Sequence, residues 1–168
     1  LPDASMDVVT AFQFIEHIHD QAGFIKDVYR VLKPGGYFLC TTPNAKMSIA
    51  RNPFHIHEMD FEEMRREATA VFGANGFELM GLQGDEKVNK YYEENSKWVK
   101  RIMKWDILGL HKILPASVLI KPYNWITTLM RDKLKAENDT TMEIDTKNFF
   151  LQKDNLDHTW DIYLIAKK

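Results

Sequence analysis

Met6-Asp7-Val8-Val9-Thr10-Ala11-Phe12 is apolar at most positions and reads as a buried strand, one that needs a neighbour on each side. A helix follows. Asp20 can cap it, and Phe24, Ile25, Val28, Val31 and Leu32 fall on one face. Lys33-Pro34-Gly35-Gly36 stops that helix, because proline cannot continue the hydrogen-bond ladder. Tyr37 to Thr42 reads as a second strand, closed by Pro43-Asn44. Strand, helix and strand within about 35 residues predict a βαβ unit with a right-handed crossover. Asp60 with Glu63 forms a capping-box pattern before a helix whose apolar face is Phe61, Met64, Ala68, Val71 and Phe72. Gly73 to Gly76 end it, and Phe77 to Leu82 is a third strand. Residues 88–135 look mostly helical, interrupted by Pro115 and Pro122, and residues 136–148 are a polar loop. Trp160 to Ala166 closes the chain as a last strand, giving an alternating α/β architecture without internal repeats.

The composition narrows the class. At 45% hydrophobic and 12% aromatic residues, the 168-residue chain can bury one ordinary core. A net charge of −2 excludes a fully cationic nucleic-acid binder. A single cysteine, Cys40, excludes an intramolecular disulfide and suggests a reducing, cytoplasmic setting. Lying within a strand, Cys40 reads as a small buried hydrophobe. No apolar run reaches the ~18 residues of a membrane span, and no signal segment opens the sequence. The charge is uneven: residues 87–135 carry a balance of +7, the remainder −9. This basic insert also holds Tyr91, Tyr92, Trp98, Trp105, Tyr123 and Trp125, and reads first as amphipathic helix covering a core. Aromatic and cationic residues together also offer a peripheral membrane contact.

Four stretches then occur in order: Met6-Asp7-Val8-Val9, Phe14-Ile15-Glu16-His17-Ile18, Arg30-Val31-Leu32-Lys33-Pro34-Gly35-Gly36 and Thr42-Pro43-Asn44. With Asn52-Pro53-Phe54-His55-Ile56-His57-Glu58 and the strands at Phe77 and Trp160, they resemble class I S-adenosylmethionine-dependent methyltransferases. The resemblance implies a partial Rossmann-like sheet, strand four onward, with parallel strands and one antiparallel last strand. It implies that residues 1–168 are the C-terminal portion of a single methyltransferase domain, with the 88–135 insert as an acceptor-side cap. No glycine-rich loop of the G-x-G-x-x-G kind occurs, so these residues alone should bind the cofactor poorly. The sheet edge where earlier strands belong would be bare, a place for homo-oligomer contact or, in the alternative that the chain is a non-catalytic fragment or pseudoenzyme, for binding a partner.

In this family the resemblance places Phe12, Gln13 and Phe14 beside the methionine portion of S-adenosylmethionine. Composition alone reads Phe12 and Phe14 equally well as core. Glu16 and His17 are the candidate catalytic residues, either of which could serve as a general base without metal. Some branches, the small-RNA 2'-O-methyltransferases and ubiquinone-pathway O-methyltransferases, carry a metal-binding Glu-x-x-Glu-His here. This chain reads Gln13-Phe14-Ile15-Glu16-His17, with an amide in place of the first carboxylate. By that likeness Glu16, His17 and His57, with His55 as the alternative to His57, are the candidate ligands of a divalent metal. A loop-packing role for Glu16-His17 stands beside it. The function expected is methyl transfer to an oxygen or nitrogen of a small molecule or glycan. An RNA acceptor is the runner-up, and the acidic body argues against broad phosphate contact.

Overall fold

The computed structural model describes residues 1–48, 52–103, 114–115, 118–121, 123–128 and 144–168. The chain forms two compact units: residues 1–48, 56–83 and 151–168, and residues 49–55 and 84–150.

In the first unit, β1 (Met6–Phe12) leads through a 3-10 turn at Ile15–His17 to α1 (Gln21–Val31). Asp20 caps α1 by accepting the Gly23 N–H at 2.8 Å, and Gln21, Ile25, Val28 and Val31 bury one face. Leu32 turns to extended backbone two residues before Pro34 and opens β2 (Leu32–Pro43). β2 therefore starts earlier than Tyr37. α1 ends ahead of Pro34, as expected, and the Lys33–Gly36 stretch is taken into the strand as an irregularity: Met6 pairs with Leu32, yet Val8 pairs with Tyr37. Gly35 sits at φ 83, a conformation that glycine adopts without steric cost. After α2 (Phe61–Phe72) come β3 (Phe77–Gly84), α3 (Glu86–Met103), β4 (Phe149–Gln152) and β5 (Asp161–Lys167). The Asp60/Glu63 capping box of α2 is present in both halves.

The sheet order is β1-β2-β5-β3-β4. β1 and β2 are parallel, and β5 runs antiparallel between β2 and β3, as expected of the last strand. This is a mixed five-stranded α/β sheet, not the order of a complete doubly wound one. β4 is an addition that the sequence pattern did not suggest. One face is closed: Phe38, Cys40 and Thr42 stand across from Ala166, Leu164 and Ile162, and all six are buried. α1 packs on β2 and α2, and α2 packs on β5. β1 is the edge of the sheet, the bare flank expected where earlier strands belong. Without a second neighbour it is not the buried strand its apolar run suggests, since only Ala11 is buried and Val8 and Phe12 are 51% and 59% exposed.

In the second unit, Asp85 starts α3 by accepting the Val88 N–H, and Asn148 donates to the other Asp85 oxygen at 2.7 Å. The Asn148 bond, first among its causes, holds the Asp85 carboxyl below its ordinary pKa. Residues 118–121 and 123–128 are helical as well. Much of the predicted 88–135 helix, Trp105 included, and most of the 136–148 loop lie outside the described residues. Among the described residues, no helix is long and apolar enough to cross a membrane.

Candidate active site

In open α/β sheets, ligands sit beyond the carboxyl ends of the parallel strands. Here that end is formed by the residues after Phe12 and around Thr42. Gln13 leaves β1 with φ 49, unusual for a side-chain-bearing residue, while its N–H donates to the Thr41 carbonyl at 2.8 Å. The chain then tightens into the Ile15–His17 turn, which buries Ile15 and Glu16. Two strands of contact hold this turn. The Glu16 carbonyl accepts the N–H groups of Ile56 and His57 at 2.8 and 3.3 Å. Gln21 Nε2 donates to the carbonyls of Ile15 and His57, both at 2.8 Å.

The Glu16 side chain is 1% exposed. Thr42 Oγ1 donates to its Oε2 at 2.8 Å, whereas Oε1 has no hydrogen-bond partner. His17 Nε2 lies 3.9 Å from that oxygen. A buried carboxylate oxygen without a donor is costly, and native proteins rarely leave one without a reason. Its field reaches two neighbours. Burial and then the Glu16 charge push the Cys40 thiol up to about 12, so Cys40 is an inert core residue as its strand position predicts. Burial and then the same charge raise Asp161 to about 6, opposed by a hydrogen bond with the Gln13 side chain.

The structure places the sequence candidates as follows. Phe12 and Phe14 are exposed, not core, with the Phe14 ring edge-on to Phe24 at 5.7 Å. Gln13, exposed at its position, reaches Asp161. Glu16 and His17 are adjacent. His57 docks on Glu16 through its backbone, but its imidazole Nε2 lies 3.1 Å from Glu63 Oε2. His55 belongs to the second unit, where its Nε2 is 2.9 Å from Asn52 Nδ2. Asn44 of Thr-Pro-Asn is buried and structural: its Nδ2 donates to the Thr159 carbonyl at 2.8 Å. The sequence reading missed Asp161. Its signal was present, an acid opening an otherwise apolar strand, and antiparallel pairing opposite Pro43 carries it to the ligand end of the sheet.

Residues 2–105 match the family model of the methyltransferase domain. The chain belongs to that family. It is 48% identical over 89 residues to a probable S-adenosylmethionine-dependent methyltransferase of Mycolicibacterium smegmatis, covering 50% of this chain and 33% of that protein. A counterpart from Mycobacterium tuberculosis is 46% identical over 69 residues, 38% of this chain and 25% of that protein. The chain thus spans about a third or less of the length of these curated relatives. A solved methyltransferase from Thermotoga maritima superposes with a TM-score of 0.50 at 13% identity, covering 100% of this chain and 59% of that one. That likeness speaks for the fold alone.

Proposed function

We propose that the protein containing this methyltransferase chain moves the methyl group of S-adenosylmethionine to an oxygen or nitrogen of a small molecule or glycan. The observation that carries the reading is Glu16, buried at the carboxyl end of β1 and β2 with one oxygen lacking a donor. S-Adenosylmethionine, when bound, supplies an activated methyl on a sulfonium, so the protein's task is to place the acceptor and manage its proton. Phe12, Gln13 and Phe14 fit the cofactor side, because they lie at the carboxyl end of β1, where ligands of open α/β sheets sit. Glu16 and His17 fit the acceptor side. Thr42 fixes one Glu16 oxygen and leaves the other to receive an acceptor O–H or N–H. Glu16 and His17 are what the first unit contributes toward a divalent cation, and no step is routed through one.

The test uses the full-length protein. Isothermal titration with S-adenosylhomocysteine should show binding, and labelled methyl donor should mark small-molecule or glycan acceptors in a library. Glu16→Gln should lower turnover by roughly 10²-fold while leaving the S-adenosylhomocysteine affinity in place. Absence of S-adenosylhomocysteine binding would overturn the reading. Labelling confined to RNA would replace the acceptor class with the runner-up.

A further inference from the structure

Asp161 is the first residue of β5, and its register opposite Pro43 of β2 and Leu82 of β3 puts it at the carboxyl end of the parallel strands. It is half-buried, and the Gln13 side chain, itself anchored by the Gln13–Thr41 backbone bond, is its hydrogen-bond partner. Glu16 acts on it electrostatically and holds the donor-less Oε1. Among the described residues, no lysine or arginine pairs with either carboxylate. Two acids therefore share one partly dry sheet end, one of them with an oxygen lacking a donor. A neutral hydroxyl could satisfy that oxygen but would leave the mutual repulsion in place. A protonated amine supplies both the N–H donors and the charge.

We propose that Asp161 and Glu16 together recognise a protonated amino group on the methyl acceptor, so that the acceptor class is an amine. This inference rests on the methyltransferase reading above and narrows its acceptor. Only the neutral amine has a lone pair to share, so one N–H proton would pass to the Asp161 carboxylate. The nitrogen lone pair would then form the N–CH3 bond as the S–CH3 bond of the sulfonium breaks, its electron pair staying on sulfur as S-adenosylhomocysteine. The raised pKa of Asp161 makes it a better proton acceptor than an ordinary aspartate. Glu16 in the Ile15–His17 turn, with His17 beside it, is the charged neighbour acting on Asp161, while burial and then the Asp161 charge raise Tyr163, two residues along β5.

The experiment is amide-shift titration of the full-length protein, saturated with S-adenosylhomocysteine, using n-butylamine and its neutral isostere n-butanol. Butylamine should bind saturably and perturb Gln13, Glu16 and Ile162, whereas butanol should not. Asp161→Asn should weaken butylamine at least fivefold, and Asp161→Glu should restore part of the loss. In the wild type, affinity should fall as pH drops below about 6 and level off near the loss shown by Asp161→Asn. That fall should survive in His17→Gln, which separates it from imidazole protonation, and it keeps the proposal testable should Asp161→Asn not fold. Equal binding of butanol, or butylamine binding independent of both Asp161 and pH, overturns the proposal while leaving the methyltransferase reading intact. Failure to bind S-adenosylhomocysteine removes the reading beneath it and the proposal together.

Discussion

Replacing Asp161 by Asn should make the protein more stable at neutral pH, and the gain should vanish in acid. Burial and the Glu16 charge raise the Asp161 carboxyl from 3.8 to about 6 in the folded state. A raised acid favours the folded state while it is protonated. Its stabilising contribution is thus complete below about 4 and is lost as pH climbs through about 6. A shift of about two units sets a ceiling near 3 kcal/mol, at ~1.4 kcal/mol per unit. Asp161 is only partly buried, so solvent screening brings the expected figure to about 1 kcal/mol. Asn preserves the size and can keep the Gln13 hydrogen bond, but it carries no charge to desolvate. Urea unfolding of the full-length wild type and Asp161→Asn at pH 4, 5, 6 and 7.5 reads the difference directly. The variant should match the wild type at pH 4 and exceed it by about 1 kcal/mol at pH 7.5. A variant that is less stable at pH 7.5, or whose difference is constant with pH, refutes the electrostatic picture of this site.

Other consequences are structural. Phe38→Ala should cost about 3–5 kcal/mol in urea unfolding, because Phe38 is fully buried between the sheet and the helices. Gly81→Ala should destabilise by roughly 1–3 kcal/mol, since its Cβ would run into the buried Thr159 side chain, which Oγ1 ties to the Leu156 carbonyl. Asp60→Ala should lose about 1 kcal/mol and show up as weaker protection of the Glu63 amide in hydrogen exchange. Cys40 should stay unreactive toward a thiol reagent at pH 8 in the native protein and react at once in denaturant.

What was legible in the sequence is what is decided locally. Asp20 and Asp60 cap the helices they introduce, and Ile25, Val28, Met64 and Ala68 form their buried faces. Both signals live within a few residues of chain. Burial of a strand does not. Val8 and Phe12 look like core, yet β1 has a partner on one side only, so both are left exposed. Lys33–Gly36 does stop α1, as its Pro and Gly predict, but β2 starts ahead of Tyr37 because a strand can absorb extra residues as an irregularity. β4 is four residues at a sheet edge, too short for a periodic pattern. At the site, Glu16 and His17 were found by motif, but Asp161 lies far along the chain and joins them only through the pairing of β5 with β2.

The distribution of unfavourable groups carries the functional case further than any motif. Elsewhere in the first unit, buried polar side chains are matched: Gln21 bridges two carbonyls, Asn44 holds Thr159, and Thr159 holds Leu156. Among the described residues, Glu16 Oε1 is the buried side-chain atom left without a hydrogen-bond partner. A glutamine there could still have accepted the Thr42 bond without bringing a second buried charge toward Asp161. Instead the strained Gln13, the donor-less Glu16 oxygen and the raised Asp161 all gather at one end of one sheet. Structures retain such costs where a ligand relieves them. Relief requires a partner that brings hydrogen-bond donors, and the more positive that partner is, the more of the cost it removes.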